Sequence, residues 1–142
     1  MQVASSEAGQ REFKNLPLFS LLTPSDDVVT PGSLVASEPH EHAKGGVVTG
    51  FDIPEGRIIL TYWKGQLHEV IYQTPHKSRR SALERNEYLF LHYGQGLTWT
   101  EVLDNGFGKS YRRHDLERYA LWSYAMDYVT FGSMQFHEVK RG

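Results

Sequence analysis

Between Arg118 and Phe131 the chain reads Arg-Tyr-Ala-Leu-Trp-Ser-Tyr-Ala-Met-Asp-Tyr-Val-Thr-Phe, an aromatic-rich run with one acid, Asp127. Tyr, Trp, Val, Thr and Phe suit a pleated, half-buried surface, so Tyr119 to Phe131 is predicted to be strand. Leu121, Tyr124, Ala125 and Tyr128 also fall at helical spacing, which leaves a helix as the alternative. In either case a carboxylate among apolar groups needs a partner, because burying it unpaired is costly. The nearest basic cluster upstream is Arg112-Arg113-His114. Gly132 marks a bend, and Met134 to Val139 is expected to extend the strand.

Two hairpins are written into the middle of the chain. Ile58 to Trp63 and Leu67 to Tyr72 are β-rich runs around Lys64-Gly65, a tight glycine-containing connection. With that turn, Tyr62 is expected opposite Leu67, Leu60 opposite Glu69 and Ile58 opposite Ile71. Neither face of this hairpin is purely polar, which predicts cover on both sides. The second hairpin runs from Leu97 to Arg113 around Asn105-Gly106, a pair that accepts positive φ at both turn positions. Its expected register sets Glu101 against Ser110, Trp99 against Arg112 and Thr98 against Arg113.

Between the hairpins, Ser78 to Tyr93 is rich in helix formers, with Ser78 as N-cap and Gly94 or Gly96 as the stop. Leu83, Tyr88 or Phe90, and Leu91 form its apolar stripe. Earlier in the chain, Val47 to Phe51 reads as a strand ending in a turn at Asp52 to Gly56. Residues 23–46 read as loops with one or two short strands. Phe13 to Leu22 is a docking segment or a helix starting near Pro17. Residues 1–12 are small and polar and are expected to be disordered. Residues 13–142 then form a single α+β domain: a twisted antiparallel sheet of about five or six strands with one main helix packed on one face.

Composition narrows the chemistry. With 142 residues, 39% hydrophobic and 23% charged, the chain is long enough to bury a core of its own. It has no cysteine, so disulfides, thiolate nucleophiles and cysteine-held zinc or iron–sulfur sites are excluded, and no haem site is expected. A formal charge of −2 gives no general attraction to nucleic acid or to anionic membranes. No apolar run approaches the roughly 20 residues that span a bilayer, and the first residues lack the pattern of a signal peptide. A cytoplasmic location is the resulting expectation.

Four groups of residues invite a functional reading. His40 and His42 are spaced so that both imidazoles face one side of a strand, as a metal pair would. Pro39 and Gly45 bracket them, however, and no glutamate follows at ligand spacing, so a solvated loop is expected. Glu101, Asp115 and Asp127, with His114, are the acids and base of a metal-dependent phosphoesterase if they converge. Trp99, Tyr111, Arg112 and Tyr128 combine aromatic surface with one cation, the composition of a binding pocket. Aromatic residues around Trp63, Trp99, Tyr111 and Trp122 are otherwise expected in the core. No Walker, Rossmann, zinc-finger or nucleophile-elbow pattern is present.

Three functions follow as expectations. The first is a binding module for a small ligand or protein partner, built on Trp99, Tyr111, Arg112 and Tyr128 at a sheet edge or face. The second is a phosphoester hydrolase using Glu101, Asp115, Asp127 and His114. The third is a subunit whose apolar sheet face is covered by another chain.

Overall fold

The computed structural model describes residues 16–74, 79–94, 100–104, 108–112, 118–123 and 128–141. One antiparallel sheet organises them. Its strands are β1 (Ser33–Pro39), β2 (Val47–Ile53), β3 (Gly56–Trp63), β4 (Gln66–Gln73), β5 (Thr100–Asp104), β6 (Gly108–Arg112), β7 (Arg118–Ser123) and β8 (Tyr128–Ser133). Helix α1 (Arg79–Gly94) follows β4, and helix α2 (Met134–Arg141) follows β8. The α+β class and the single main helix are as expected. The sheet, however, runs to eight strands in the order β1-β2-β3-β4-β8-β7-β6-β5, beyond the five or six anticipated.

That order has a simple logic. Two four-stranded meanders, β1–β4 and β5–β8, meet where β4 pairs antiparallel with β8. Each meander is followed by a helix. No repeat is visible in the residues themselves, so the duplication is one of architecture.

The aromatic run divides into β7 and β8, which pair with each other so that Trp122 opposes Val129 and Ala120 opposes Phe131. The strand reading therefore holds for its described residues, but as two strands. Met134 to Val139 does not extend β8: it is the start of α2. The reason is Ser133, whose Oγ accepts a hydrogen bond from the Phe136 amide at 3.1 Å and caps the new helix.

Both hairpin registers differ from expectation by one residue. At Lys64-Gly65 the turn is as predicted, with φ of 50° and 76°, and Tyr62 opposes Leu67. A β-bulge then takes up His68, so Thr61 opposes Glu69, Leu60 opposes Val70 and Ile58 opposes Tyr72. In the second hairpin a bulge at Val102 sets Glu101 against Tyr111, and Arg112 against Thr100 rather than Trp99. One inserted residue reassigns every later partner.

The first of these shifts decides what is buried. Ile58, Leu60, Val70, Tyr72, Val129 and Phe131 share one face and are all fully buried. Helix α1 covers that face: the Tyr93 ring stacks on Phe131 at 4.2 Å, and Phe90 meets it edge-on at 5.4 Å. The buried stripe of α1 runs Arg85, Leu89, Tyr93, whereas Leu91, assigned to the stripe from sequence, is 50% exposed. Arg85 is held by the carbonyl and hydroxyl of Thr74, each at 2.9 Å, and by Asn86 at 3.0 Å. These bonds compensate much of the cost of burying a guanidinium.

Irregular chain from Leu16 to Thr23, ending in a turn at Leu21–Leu22, covers the rest of the same face, with Leu16, Phe19 and Leu21 in the core. This is the docking segment anticipated, without a helix at Pro17. The opposite face carries Thr61 and Glu69 and is covered at one end by α2. Among the described residues no helix is long and apolar enough to cross a membrane.

Candidate functional site

The docking segment takes the place of a neighbouring strand where β8 stops. β8 pairs with β4 only from Glu69 to Gln73. Beyond that point the Leu22 amide donates to the Leu67 carbonyl, and the Leu67 amide donates to Thr23 at 2.9 Å. The Ser25 amide reaches the Gly65 carbonyl at 2.8 Å, and Pro24 bridges to Gln66. From the core side, the Tyr72 hydroxyl donates to the Pro17 carbonyl at 2.8 Å, and His92 of α1 lies 3.2 Å from the Phe19 carbonyl. Burial and the neighbouring Tyr93 ring raise the pKa of Tyr72 well above its ordinary value, so its proton stays in place for that bond.

This fastening leaves an open groove of about 350 Å³ on the outer side of the segment. Leu18, Phe19, Val28, Val29 and Leu67 supply its apolar wall, and Asp27 is its one charged residue. Asp27 belongs to a single 3-10 turn, Ser25–Asp27, and its carboxylate meets no cation among the described residues. Two of the apolar side chains that line the groove are open to solvent: Val29 is 84% exposed and Leu18 41%, and Leu22, next to the lining residue Thr23, is 43% exposed. Leu22 also has φ of 71°, the left-handed region that a bulky residue enters only under constraint. Backbone strain of this kind, costing on the order of 1 kcal/mol or more, gathers at binding and switching sites. Sequence reading missed this groove, because prolines at 17, 24 and 31 announce irregular chain but not the surface it makes.

A second polar cluster lies under α2. His68 is fully buried, with Nδ1 2.8 Å from the Ser133 hydroxyl and Nε2 without a hydrogen-bond partner among the described residues. The rings of Trp63 and Phe136 stand 5.4 and 5.7 Å from it. Glu69 forms an ion pair with Lys140 of α2. Ser133 and His68 resemble a nucleophile and its base, but Ser133 is 3% exposed and already caps α2, so substrate does not reach it.

The residues singled out from sequence are placed as follows. His40 packs its ring edge on Phe136 at 5.4 Å, and its Nδ1 accepts the His42 amide at 2.9 Å, while His42 is exposed. The pair is thus part of a turn, and among the described residues no three metal-ligating side chains cluster. Tyr111 and Arg112 lie next to each other in β6, and Glu101 pairs with Tyr111 from β5. Tyr128 begins β8 opposite Gln73, three residues along from Phe131, which shares a register row with Ala120 and Tyr111. Trp99, Arg113, His114, Asp115 and Asp127 lie outside the described residues, and with them the proposed Asp127–arginine pair.

Comparison with protein-family models, with curated proteins and with solved structures finds no match to this chain.

Proposed function

We propose that this protein is a binding module that takes an apolar ligand bearing a positive charge into the groove beside Leu22. The single observation behind this reading is the pairing of open apolar wall and uncompensated acid: Leu18, Val28 and Val29 around Asp27. An apolar groove with one placed charge selects for ligands that match both, the apolar part for affinity and the charge for orientation. A strained Leu22, in a segment that Leu22, Thr23 and Ser25 fasten by three strand-like bonds, favours the same reading, because the fold spends stability to keep that surface in shape.

The test is titration of the protein with n-octylammonium, n-octanoate and n-octanol, followed by amide chemical shifts. Binding of the ammonium ahead of the other two, weakened about tenfold by Asp27→Asn, is the expected result. No shifts at Leu18 to Val29 with any of the three would end the proposal.

A second reading, that the chain is a subunit covered by another, is favoured by β1. All seven residues of this edge strand are exposed, including Leu34 at 60% and Val35 at 45%. Light scattering at two concentrations tests it: a mass that stays at one chain at both removes self-association.

A further inference from the structure

We propose that α2 is an acid-released latch, held over one end of the sheet by two neutral histidines that flank Phe136. The helix is short, and Phe136 is its only fully buried residue among those described. An isolated helix of this length is not stable in water, so its persistence depends on what Phe136 and its cap touch. They touch histidine on both sides.

His68 lies against Phe136 from β4. The arrangement that satisfies the most groups has the Ser133 hydroxyl donating to His68 Nδ1 while its oxygen accepts the Phe136 amide. That chain of bonds requires neutral His68 with its proton on Nε2. Acid puts a second proton at Nδ1, where the Ser133 hydroxyl already points. The hydroxyl must turn away and lose its acceptor, and the new cation is left in an aromatic pocket where the Trp63 backbone gives it only partial compensation. Helix cap and helix anchor are both disturbed by one proton.

His40 packs on Phe136 from the β1–β2 loop, and its Nδ1 is likewise committed as an acceptor, to the His42 amide. Protonation there breaks the turn that presents the ring. The charges around the pair do not cancel the effect. Glu69 of β4 is the carboxylate closest in influence on His40, but it is paired with Lys140 of α2, whose ammonium opposes a second cation. Glu41 and His42 flank His40 with opposite influences, and Lys64 stands over the Trp63 ring 4.5 Å from its centre. His137, Glu138 and Arg141 complete the charges of α2.

Burial lowers the pKa of both histidines below the ordinary 6.5, only partly offset at His68 by the Trp63 backbone and at His40 by Glu69. In undocked chain both regain ordinary values, so docking is favoured at neutral pH and weakened as pH falls below about 6.5. Release of α2 uncovers His68, Trp63 and the apolar face of Phe136.

The test is amide hydrogen exchange on the full chain at about pH 7.5 and 5.5, corrected for intrinsic rates. Protection of α2 is expected to fall about tenfold for each histidine that stays neutral while docked, with β3 unaffected. His68→Asn keeps an acceptor towards Ser133 but cannot titrate, and should lose the His68 share of that fall. An unchanged protection of α2 in acid, or an equal fall in His68→Asn, overturns the latch. Should that variant fail to fold, imidazole proton shifts of the unaltered chain decide: a His68 pKa at or above 6.5 overturns it, and a lower value upholds it.

Discussion

The Ser133 hydroxyl lies 2.8 Å from Nδ1 of His68 and at the same time caps α2, so one oxygen joins β4, β8 and the C-terminal helix. Ser133→Ala removes the cap and deprives His68 Nδ1 of its hydroxyl partner. We expect a loss of about 1–2 kcal/mol, from cap and desolvated imidazole together, read as a lower urea midpoint. Ser133→Thr, which keeps the hydroxyl, is expected to recover most of it.

Phe136→Ala removes the one buried anchor of α2. The expected cost is about 3 kcal/mol or more if the helix stays docked, and less if it simply detaches. Circular dichroism separates the two: detachment is accompanied by loss of about one short helix of signal.

Tyr72→Phe deletes the hydroxyl that holds the Pro17 carbonyl while keeping the ring in the core. A cost of about 1–2 kcal/mol is expected for the orphaned carbonyl. Faster amide exchange should be confined to Leu16 to Thr23, and unchanged exchange there would show that the hydroxyl does not fasten the segment.

Leu22→Gly relieves a left-handed backbone at a residue 43% exposed. Relief of about 1 kcal/mol is offset by lost side-chain burial and by glycine's greater freedom when unfolded. We expect a melting temperature within a few degrees of the parent, with weaker n-octylammonium binding. A large gain in stability with full binding would show that the strain serves no purpose at the groove.

Stability should also depend on pH with a definite sign. His40 and His68 both have folded pKa values lowered by burial, so the unfolded chain takes up protons first. Their contribution is complete above about pH 6.5 and declines as pH falls through the folded values. Urea midpoints at a series of pH values check this, and a maximum in acid would contradict it.

Much of the fold was legible because local rules and tertiary context agree. Lys64-Gly65 between two β-rich runs and the helix formers up to Tyr93 became the elements they suggested, and the aromatic run before Gly132 became strand, though two strands rather than one. What was not legible has a physical reason in each case. A bulge carries no sequence mark, so the insertions at His68 and Val102 were invisible, and both registers slipped. The buried face of α1 contains Arg85, which hides the apolar period from any count of hydrophobic residues. Ser133 caps α2, but the β-rich residues before it made a continued strand the natural reading.

The candidate site was less legible than the fold. A groove made by irregular chain lying on a sheet depends on which carbonyls are fastened, and Tyr72 and His92 do that from far away in sequence. His68 offered no motif either, since its importance comes from the bulge that turns it under α2.

One further consequence comes from the outermost strand. β1 breaks its register at Val35 and ends in Pro39, which has no N–H to offer. Its flank is therefore a poor template for another molecule to zip onto, despite the open Leu34 and Val35. Replacing Pro39 with valine while removing the extra residue at position 35 would restore a continuous rail of donors and acceptors, and with it a route to fibrils.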